Sequence, residues 1–272
     1  MLLTKRSWFD LVTKLYLPVF VSIVFLLIQG NAKADTIAYA YSGYEDFGIL
    51  DLNTGAYTYL GTSGAPLGGM GEYKGKLYGG YVYGNAFYDV SPANGLATLA
   101  GYGYPCFDTF GSASGGLYGT CGSPEDLYSV NPATGAETFI GVTGVPLSGA
   151  YGSSNSTDST LYLITDGLLY AVNTTTGAGT FIGDTGHPFI VSMMFDNGVL
   201  WGEDVSSDQI FRINPQTAAL TYVSTFSGGL YAGYLYGIAP FGGGSAAPEP
   251  GTLALLATGL SALGWFGKRR KQ

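Results

Sequence analysis

The side chains that could carry out acid–base chemistry are few in this chain of 272 residues. His187 is the sole histidine, which excludes most histidine-based triads and any metal site built from several histidines. It lies in Gly186-His-Pro-Phe189, at a position where internally repeated segments hold Ala65 or Val145. The sequence therefore predicts a substitution in a loop here rather than a general base.

Other polar clusters give equally weak signals for catalysis or metal binding. The segment Gly202–Asp208 offers oxygen ligands for Ca²⁺, but it lacks the residue order of an EF-hand loop, so a solvated acidic turn is preferred. The serines near residue 155 have no G-x-S-x-G setting, and Ser153–Ser159 is expected to be a longer loop. Asn155-Ser-Thr157 and Asn173-Thr-Thr175 match the pattern for N-glycosylation.

A set of repeated polar residues could be mistaken for a metal site. Asp51, Asn131, Asn173 and Asn214 occupy the same place in internal repeats. They suggest an alternative in which a metal-dependent enzyme, similar to a lactonase or a lyase, holds its ion at a central channel. Asp and Asn also cap turns by accepting a backbone N–H two residues on, and this capping role is preferred. No catalytic residue, metal site or cofactor is predicted.

Cys106 and Cys121 are the only cysteines. They flank a predicted strand at Leu117-Tyr118, and in an exported protein such a pair is expected to form a disulfide. The chain-entropy account assigns about 3 kcal/mol to closing a loop of this length.

The element that positions all these residues is a segment that the chain repeats five times. Its clearest copy is LYSVNPATGAETFIG, and the copies align without gaps. They begin at Phe47, Phe87, Leu127, Leu169 and Ile210, in steps of 40, 40, 42 and 41 residues. Each copy reads as two strands joined by a turn, because Asn or Asp opens the turn and Gly or Ala closes it. A period in this range is typical of propellers and other repeat arrays.

The repeat predicts an all-β fold, namely a β-propeller of about five four-stranded blades of about 41 residues. A short strand such as Leu77-Tyr78 precedes each hairpin, and a weaker one, such as Ile190 to Met194, follows it. The early strand Thr36–Tyr41 is expected to close the ring against the last blade. The alternatives are six blades with one degenerate blade, or a β-solenoid.

Charge is distributed unevenly along the chain. Between Asp35 and Ala247 there are three basic residues and 17 acidic ones, a net charge of −14. A body this acidic repels phosphate backbones, so nucleic acid is excluded as a partner. Exposed tyrosines remain the candidate surface for stacking on sugar rings, with packing in the core as the preferred alternative. These tyrosines are Tyr102, Tyr104, Tyr231, Tyr234 and Tyr236.

The N-terminus has the features of a secretory signal peptide, predicted over residues 1–34. Basic residues flank an apolar run, and Ala32-Lys33-Ala34 provides an A-x-A cleavage site that places the mature start at Asp35. Sec-type export machinery is therefore an expected partner. An uncleaved membrane anchor is the alternative.

The C-terminus contains three ordered parts after the repeat body of residues 35–241. A linker at 242–247 leads to Pro248-Glu249-Pro250, and an uncharged stretch, Gly251–Gly267, follows as a predicted transmembrane helix. The chain then ends in a basic cluster that should stay in the cytoplasm, placing the body outside it. This cluster is Lys268, Arg269, Arg270 and Lys271.

The segment 248–272 resembles the PEP-CTERM sorting signal of Gram-negative bacteria, which is also labelled an ice-binding-protein C-terminal region. The resemblance implies that Pro248, Glu249 and Pro250 are the recognition motif of an exosortase, a membrane-embedded cysteine transpeptidase. It also implies that the helix and the basic tail hold the precursor in the membrane until it is processed.

We therefore expect an exported protein that is anchored in the inner membrane before processing and then reaches the cell surface or the extracellular space. The propeller is expected to be a non-enzymatic binding or structural module. The sorting family implies an association with exopolysaccharide or biofilm, so a polysaccharide is a candidate partner.

Overall fold

The computed structural model describes residues 36–42, 45–81, 84–103, 109–113, 115–122, 126–146, 151–156, 159–196, 198–227 and 235–241. The chain divides into one unit of Asp35–Gly244 and another that combines Met1–Ala34 with Ser245–Gln272. The second unit lies outside the described residues. The predicted signal peptide, linker, sorting motif, transmembrane helix and basic tail therefore also fall outside the part that the structure describes.

Every regular secondary-structure element in the described residues is a β-strand, which confirms the all-β prediction. There are twenty of them, β1–β20 in chain order: β1 Ile37–Ser42, β2 Asp46–Asp51, β3 Tyr57–Thr62, β4 Leu67–Tyr73, β5 Lys76–Tyr81, β6 Ala86–Val90, β7 Ala97–Tyr102, β8 Thr109–Ala113, β9 Gly116–Cys121, β10 Asp126–Val130, β11 Glu137–Val142, β12 Tyr151–Ser156, β13 Leu161–Thr165, β14 Leu168–Val172, β15 Gly179–Asp184, β16 Ile190–Asp196, β17 Val199–Asp204, β18 Gln209–Ile213, β19 Leu220–Thr225 and β20 Leu235–Pro240.

The strands form five antiparallel units of four. The first unit has the order β20-β1-β2-β3, so the last strand of the body completes the first unit. The second to fifth units are β4–β7, β8–β11, β12–β15 and β16–β19, each in chain order. Parallel bridges between β8 and β12 and between β12 and β16 join three units into one twelve-stranded sheet.

The first strands of the units, which we call the inner strands, contact one another in a cyclic order. The order is β20, β4, β8, β12, β16 and back to β20. Glycines allow this close approach: a Cβ at Gly111 would clash with the backbone of β12, and one at Gly152 would clash with the backbone of β16. The N-terminal strand β1 does pair with the last strand, but it lies second in its unit and leaves the inner position to β20.

The hydrophobic core consists of five clusters, one between each pair of neighbouring units. Trp201 and Ala38 mark the cluster between the fifth and first units, and the other four follow around the same cycle. Both faces of a unit are therefore buried. In β10, for example, Leu127 packs towards the fourth unit while Val130 packs towards the second. This two-sided burial explains why apolar residues occur on both faces of the repeated hairpin.

The repeated segment forms β2–β3 and its counterparts in the other units. In the third copy, Asn131 accepts the N–H of Ala133 through its side chain (2.8 Å), and Gly135 closes the turn at φ = +72°. The final glycine of the copy lies against the next unit, because a Cβ at Gly141 would clash with the carbonyl oxygen of Thr176. Each copy thus ends in the residue that receives the turn of the following copy.

One expectation from the sequence is wrong: residues 151–156 belong to strand β12 rather than to a long loop at Ser153–Ser159. The run of serine and asparagine looked like a loop because it has no apolar alternation. It forms a strand because the inner strands surround it, and Asn155 bonds to their backbone groups instead of packing in an apolar core.

Candidate functional site

Asn155 occupies the place where the inner strands converge, and its side chain is 2% exposed. Its Nδ2 donates to the carbonyl oxygens of Met70 (2.5 Å) and Ile238 (2.7 Å). Its Oδ1 accepts from the N–H of Glu72 and the hydroxyl of Ser112, both at 3.1 Å. One amide therefore connects the inner strands of four units.

This arrangement leaves Asn155 no role as a ligand, because both amide protons and both acceptor positions are in use. The N-glycosylation pattern at Asn155 is likewise inaccessible in the folded protein. A small recess opens beside Asn155, and none of its described lining residues is ionisable. The lining consists of Gly68, Gly69, Met70, Thr109, Phe110, Gly152, Ser153, Asn155, Val191, Gly237 and Ile238.

The repeated polar residues that suggested a metal ring act as turn caps. Asp51, Asn131 and Asn173 each accept the N–H two residues on at 2.8 Å, and Asn214 does so at 2.9 Å. They lie in the turns of four different units, so the structure does not bring them together. Within the described ranges, no group of three His, Cys, Asp or Glu side chains is placed to hold a metal.

His187 lies in the loop between β15 and β16, where the fourth unit meets the fifth. Its Nδ1 is 2.8 Å from Oδ2 of Asp204, and its ring lies 4.6 Å from that of Phe211. Because a carboxylate can only accept, Nδ1 carries the proton in this bond. The equivalent Ala65 and Val145 are buried between units, so His187 fills an apolar position and needs Asp204 as a partner. The sequence placed His187 correctly in a loop but did not identify this partner.

Asp204 is held by several donors besides His187. Its Oδ1 accepts the N–H (2.9 Å) and hydroxyl (2.7 Å) of Ser206 and the N–H of Ser207 (3.3 Å). Burial alone would raise the pKa of Asp204, but the hydrogen bonds from His187 and Ser206 outweigh it and lower the pKa. The carboxylate therefore remains ionised. The predicted solvated acidic turn at Gly202–Asp208 is correct only for residues 205–208, because Gly202–Asp204 are buried at the end of strand β17.

We expect Asp204→Ala to reduce the free energy of unfolding by about 2 kcal/mol at pH 7, since hydrogen bonds to a charged group are lost. The folded-state pKa is lowered, so this stabilisation is present above the unfolded pKa and disappears as the pH falls through the folded pKa. Urea unfolding from pH 7 down to pH 2 measures it. Asp89→Ala is the control, because its carboxylate is half-exposed and 4.0 Å from Lys76. Equal losses in the two variants at pH 7 would contradict the prediction.

Glu203 is the most unusual ionisable residue of the body. It is 1% exposed, and its Oε2 has no hydrogen-bond partner. Burial raises the pKa of Glu203 well above its ordinary value, and the charges of Asp208 and Asp204 add to this effect. Ser192 lies opposite it on β16, and its hydroxyl also lacks a partner. Strand alternation puts Glu203 on the same face of β17 as Trp201, which packs towards the first unit. The junction between the fifth and first units therefore contains an uncompensated polar patch, which the sequence did not reveal.

We expect Glu203→Met to raise the free energy of unfolding at pH 7 by about 1–3 kcal/mol, the usual cost of a buried unpaired polar group. The folded pKa is raised, so the wild type is most stable below the unfolded pKa and loses stability as the pH rises towards the folded pKa. Glu203→Gln, which stays polar but cannot ionise, separates the two causes. Between pH 4 and pH 8, the free energy of unfolding of the wild type should fall relative to that of either variant as the pH rises. If its pH dependence were the same in all three proteins, Glu203 would not have the raised pKa assigned to it.

The cysteines and tyrosines are only partly described. Cys121 ends β9, is buried and does not occur as a free thiol, while Cys106 lies outside the described residues, so their pairing stays a prediction. Tyr102 is 61% exposed, which fits a surface role. Tyr104, Tyr231 and Tyr234, together with the side chain of Tyr236, are not described.

Comparison with known proteins gives one sequence match. Residues 246–271 match the family model of the PEP-CTERM protein-sorting motif. No curated protein matches the chain. The motif marks the chain as an exported protein that an exosortase processes and whose precursor is anchored in the membrane. Among the described residues, no helix has the length and apolarity needed to span a membrane.

Two solved structures match the body at low sequence identity, and the first of them is similar to it in fold. One comes from work on the de novo evolutionary emergence of a symmetrical protein shaped by folding constraints; it is 19% identical, covers 70% of this chain and 93% of its own, and has a TM-score of 0.50. Another belongs to the nidogen–laminin complex, with 12% identity, 75% and 97% coverage and a TM-score of 0.49.

Proposed function

We propose that this chain is an exosortase-sorted surface or matrix protein whose body is a five-bladed β-propeller that acts as a binding and structural module. The sorting motif at residues 246–271 is the observation that carries the proposal. An exported protein kept at the membrane until it is processed meets its partners outside the cytoplasm. A polysaccharide of the cell surface or of a biofilm is the partner class that we propose.

The cyclic contact order of the inner strands supports the propeller interpretation. Five four-stranded units with five interunit cores are the arrangement expected of blades around an axis. The last strand lies in the first unit, so pairing between the two ends of the body holds the ring closed. Closure of this kind removes the long unpaired inner edges that an open array would leave.

A binding role is favoured over catalysis by the chemistry of the axis. Propeller enzymes of the metal-dependent kind need several carboxylate, amide or imidazole ligands around one point. Here Asn155 uses its amide to join backbone groups, and the described lining of the recess contains Gly, Ser and Thr but no acid or base. The repeated Asp and Asn residues are committed to turns.

Deleting the exosortase gene tests the sorting half of the proposal. We expect the full-length precursor to accumulate in the membrane fraction, whereas the wild-type strain should release or display a shorter form. Replacing Pro248, Glu249 and Pro250 with alanine should have the same effect in the wild-type strain. Replacing the glycines at 242–244 with serine is the matched control and should leave processing intact. Unchanged processing and location in the deletion strain would refute the proposal.

A further inference from the structure

The outermost strand of every unit exposes one large apolar side chain at the same place in the repeat. The four aromatic members are each 55% exposed, and the leucine is 48% exposed. We call this set the rim residues: Tyr59, Leu99, Phe139, Phe181 and Tyr222. Buried positions recur because packing requires them, whereas the rim side chains keep about half of their surface exposed despite their contacts within the unit. Its recurrence in five copies therefore indicates a function at the surface.

Three of the four aromatic rim residues contact a neighbouring ring. Phe139 packs edge-on against Tyr128 with ring centroids 5.7 Å apart, and Phe181 packs in the same way against Tyr170 at 5.4 Å. Tyr222 lies 6.3 Å from Phe211 in a similar geometry. Rings fixed in this way lose little conformational freedom when a ligand stacks on them.

Each rim residue follows an exposed threonine. The five threonines are Thr58, Thr98, Thr138, Thr180 and Thr221. The threonine and the rim side chain point to opposite faces of the strand, so the rim side chain alone offers a surface for the apolar C–H face of a sugar unit. A chemically similar platform in each blade, separated from the next, suits a polymer of similar units better than one contiguous protein surface. Several weak contacts along one polymer then add up through multivalency.

Carboxylates lie near three of the rim residues. Asp184 is three residues beyond Phe181 on β15, which is about 10 Å along a strand. In the third unit, Asp126 pairs with Val142, three residues beyond Phe139, and Asp46 has the same place in the first unit. The body as a whole has a net charge of −14. Its field attracts a cationic polymer and repels an acidic one.

We propose that the rim residues and these carboxylates bind a polysaccharide that carries free amino groups, of the glucosamine type. The sugar rings stack on the rim residues while the ammonium groups pair with the carboxylates. This inference rests on the proposed function, because it requires the body to be exported to where such polymers occur.

The test measures binding of sugar hexamers to the purified exported protein by calorimetry at pH 6, where amino sugars are protonated and aspartates are ionised. We expect glucosamine hexamer to bind at least tenfold more tightly than its N-acetylated form and galacturonate hexamer not to bind. The affinity for glucosamine hexamer should fall as the salt concentration is raised.

The double variant Phe139→Ser/Phe181→Ser should bind glucosamine hexamer at least tenfold more weakly than the wild type. Phe189→Ser, which removes an exposed ring outside the repeated position, is the control and should bind normally. Thermal unfolding checks that both variants are folded.

Equal affinity for the acetylated hexamer would overturn the charge-based assignment of the ligand. Unchanged binding by the folded double variant would overturn the rim as the site, and the absence of any glycan binding would overturn the inference as a whole. None of these results affects exosortase-dependent processing, which is read out by cell fractionation. The proposed function and this inference can therefore fail separately.

Discussion

Replacing Asn155 with alanine should destabilise the body by about 4 kcal/mol. The substitution leaves two buried carbonyl oxygens, an N–H group and a hydroxyl without their partner, and each such group costs about 1–3 kcal/mol unless water replaces the bond. Water entering from the adjacent recess keeps the total below a simple sum. For a domain of this size, the loss corresponds to a fall in Tm of roughly 10 °C, measurable by calorimetry.

Asn131→Ala is the matched control for this prediction, because it deletes the same side chain from an exposed turn. There the loss is a single hydrogen bond to the N–H of Ala133, and we expect a cost of about 1 kcal/mol or less. Asn155→Asp adds a sharper test. A carboxylate cannot donate to the carbonyl oxygens of Met70 and Ile238, so Asp should be at least as damaging as Ala. A loss in Asn155→Ala no larger than that in Asn131→Ala would show that the amide does not hold the inner strands together.

The local part of the fold was predictable from the sequence because it depends on neighbouring residues. The turn at Asn131–Gly135 needs only a side chain that bonds two residues on and a residue that accepts positive φ. The same reasoning predicted the capping role of Asp51 and its counterparts. Ala218 shows the tolerance of this rule, since it adopts φ = +61° where the other copies have glycine.

The site residues were harder to predict because their partners are distant in the sequence. Asn155 forms hydrogen bonds with residues 83 and 85 positions away in the sequence, and no feature of Asn155-Ser-Thr157 predicts these bonds. His187 lies in the loop between the fourth and fifth units and bonds to Asp204 at the end of β17, whereas the comparison with Ala65 and Val145 predicted only a substitution in a loop. Glu203 is a similar case, because its burial depends on the packing of the first unit against the fifth. Interunit geometry, which the repeat alone does not specify, decides all three cases.

Truncation of the chain after Tyr234 should abolish cooperative folding, because it removes β20. This strand supplies the backbone partners of β1, from Ala38 paired with Pro240 to Ser42 paired with Leu235. It also buries Ile238 in the core between the fifth and first units, and its loss deprives Asn155 of a partner. These losses are comparable with the whole stability of a domain, which is about 5–15 kcal/mol. Circular dichroism during urea unfolding should show no single transition.

A chain that ends at Gly244 is the control for this truncation, since it keeps β20 and removes only the residues beyond the body. It should unfold in one transition, and Ile238→Ala within it should cost about 2–5 kcal/mol without abolishing the fold. If the chain ending at Tyr234 unfolded at the same urea concentration as the chain ending at Gly244, β20 would not be needed to complete the first unit.

The position of β20 also bears on sorting. The sorting motif begins at residue 246, after β20 has ended at Pro240, so cleavage within the motif removes no strand from the body. The body can therefore remain folded once the exosortase has removed its tail.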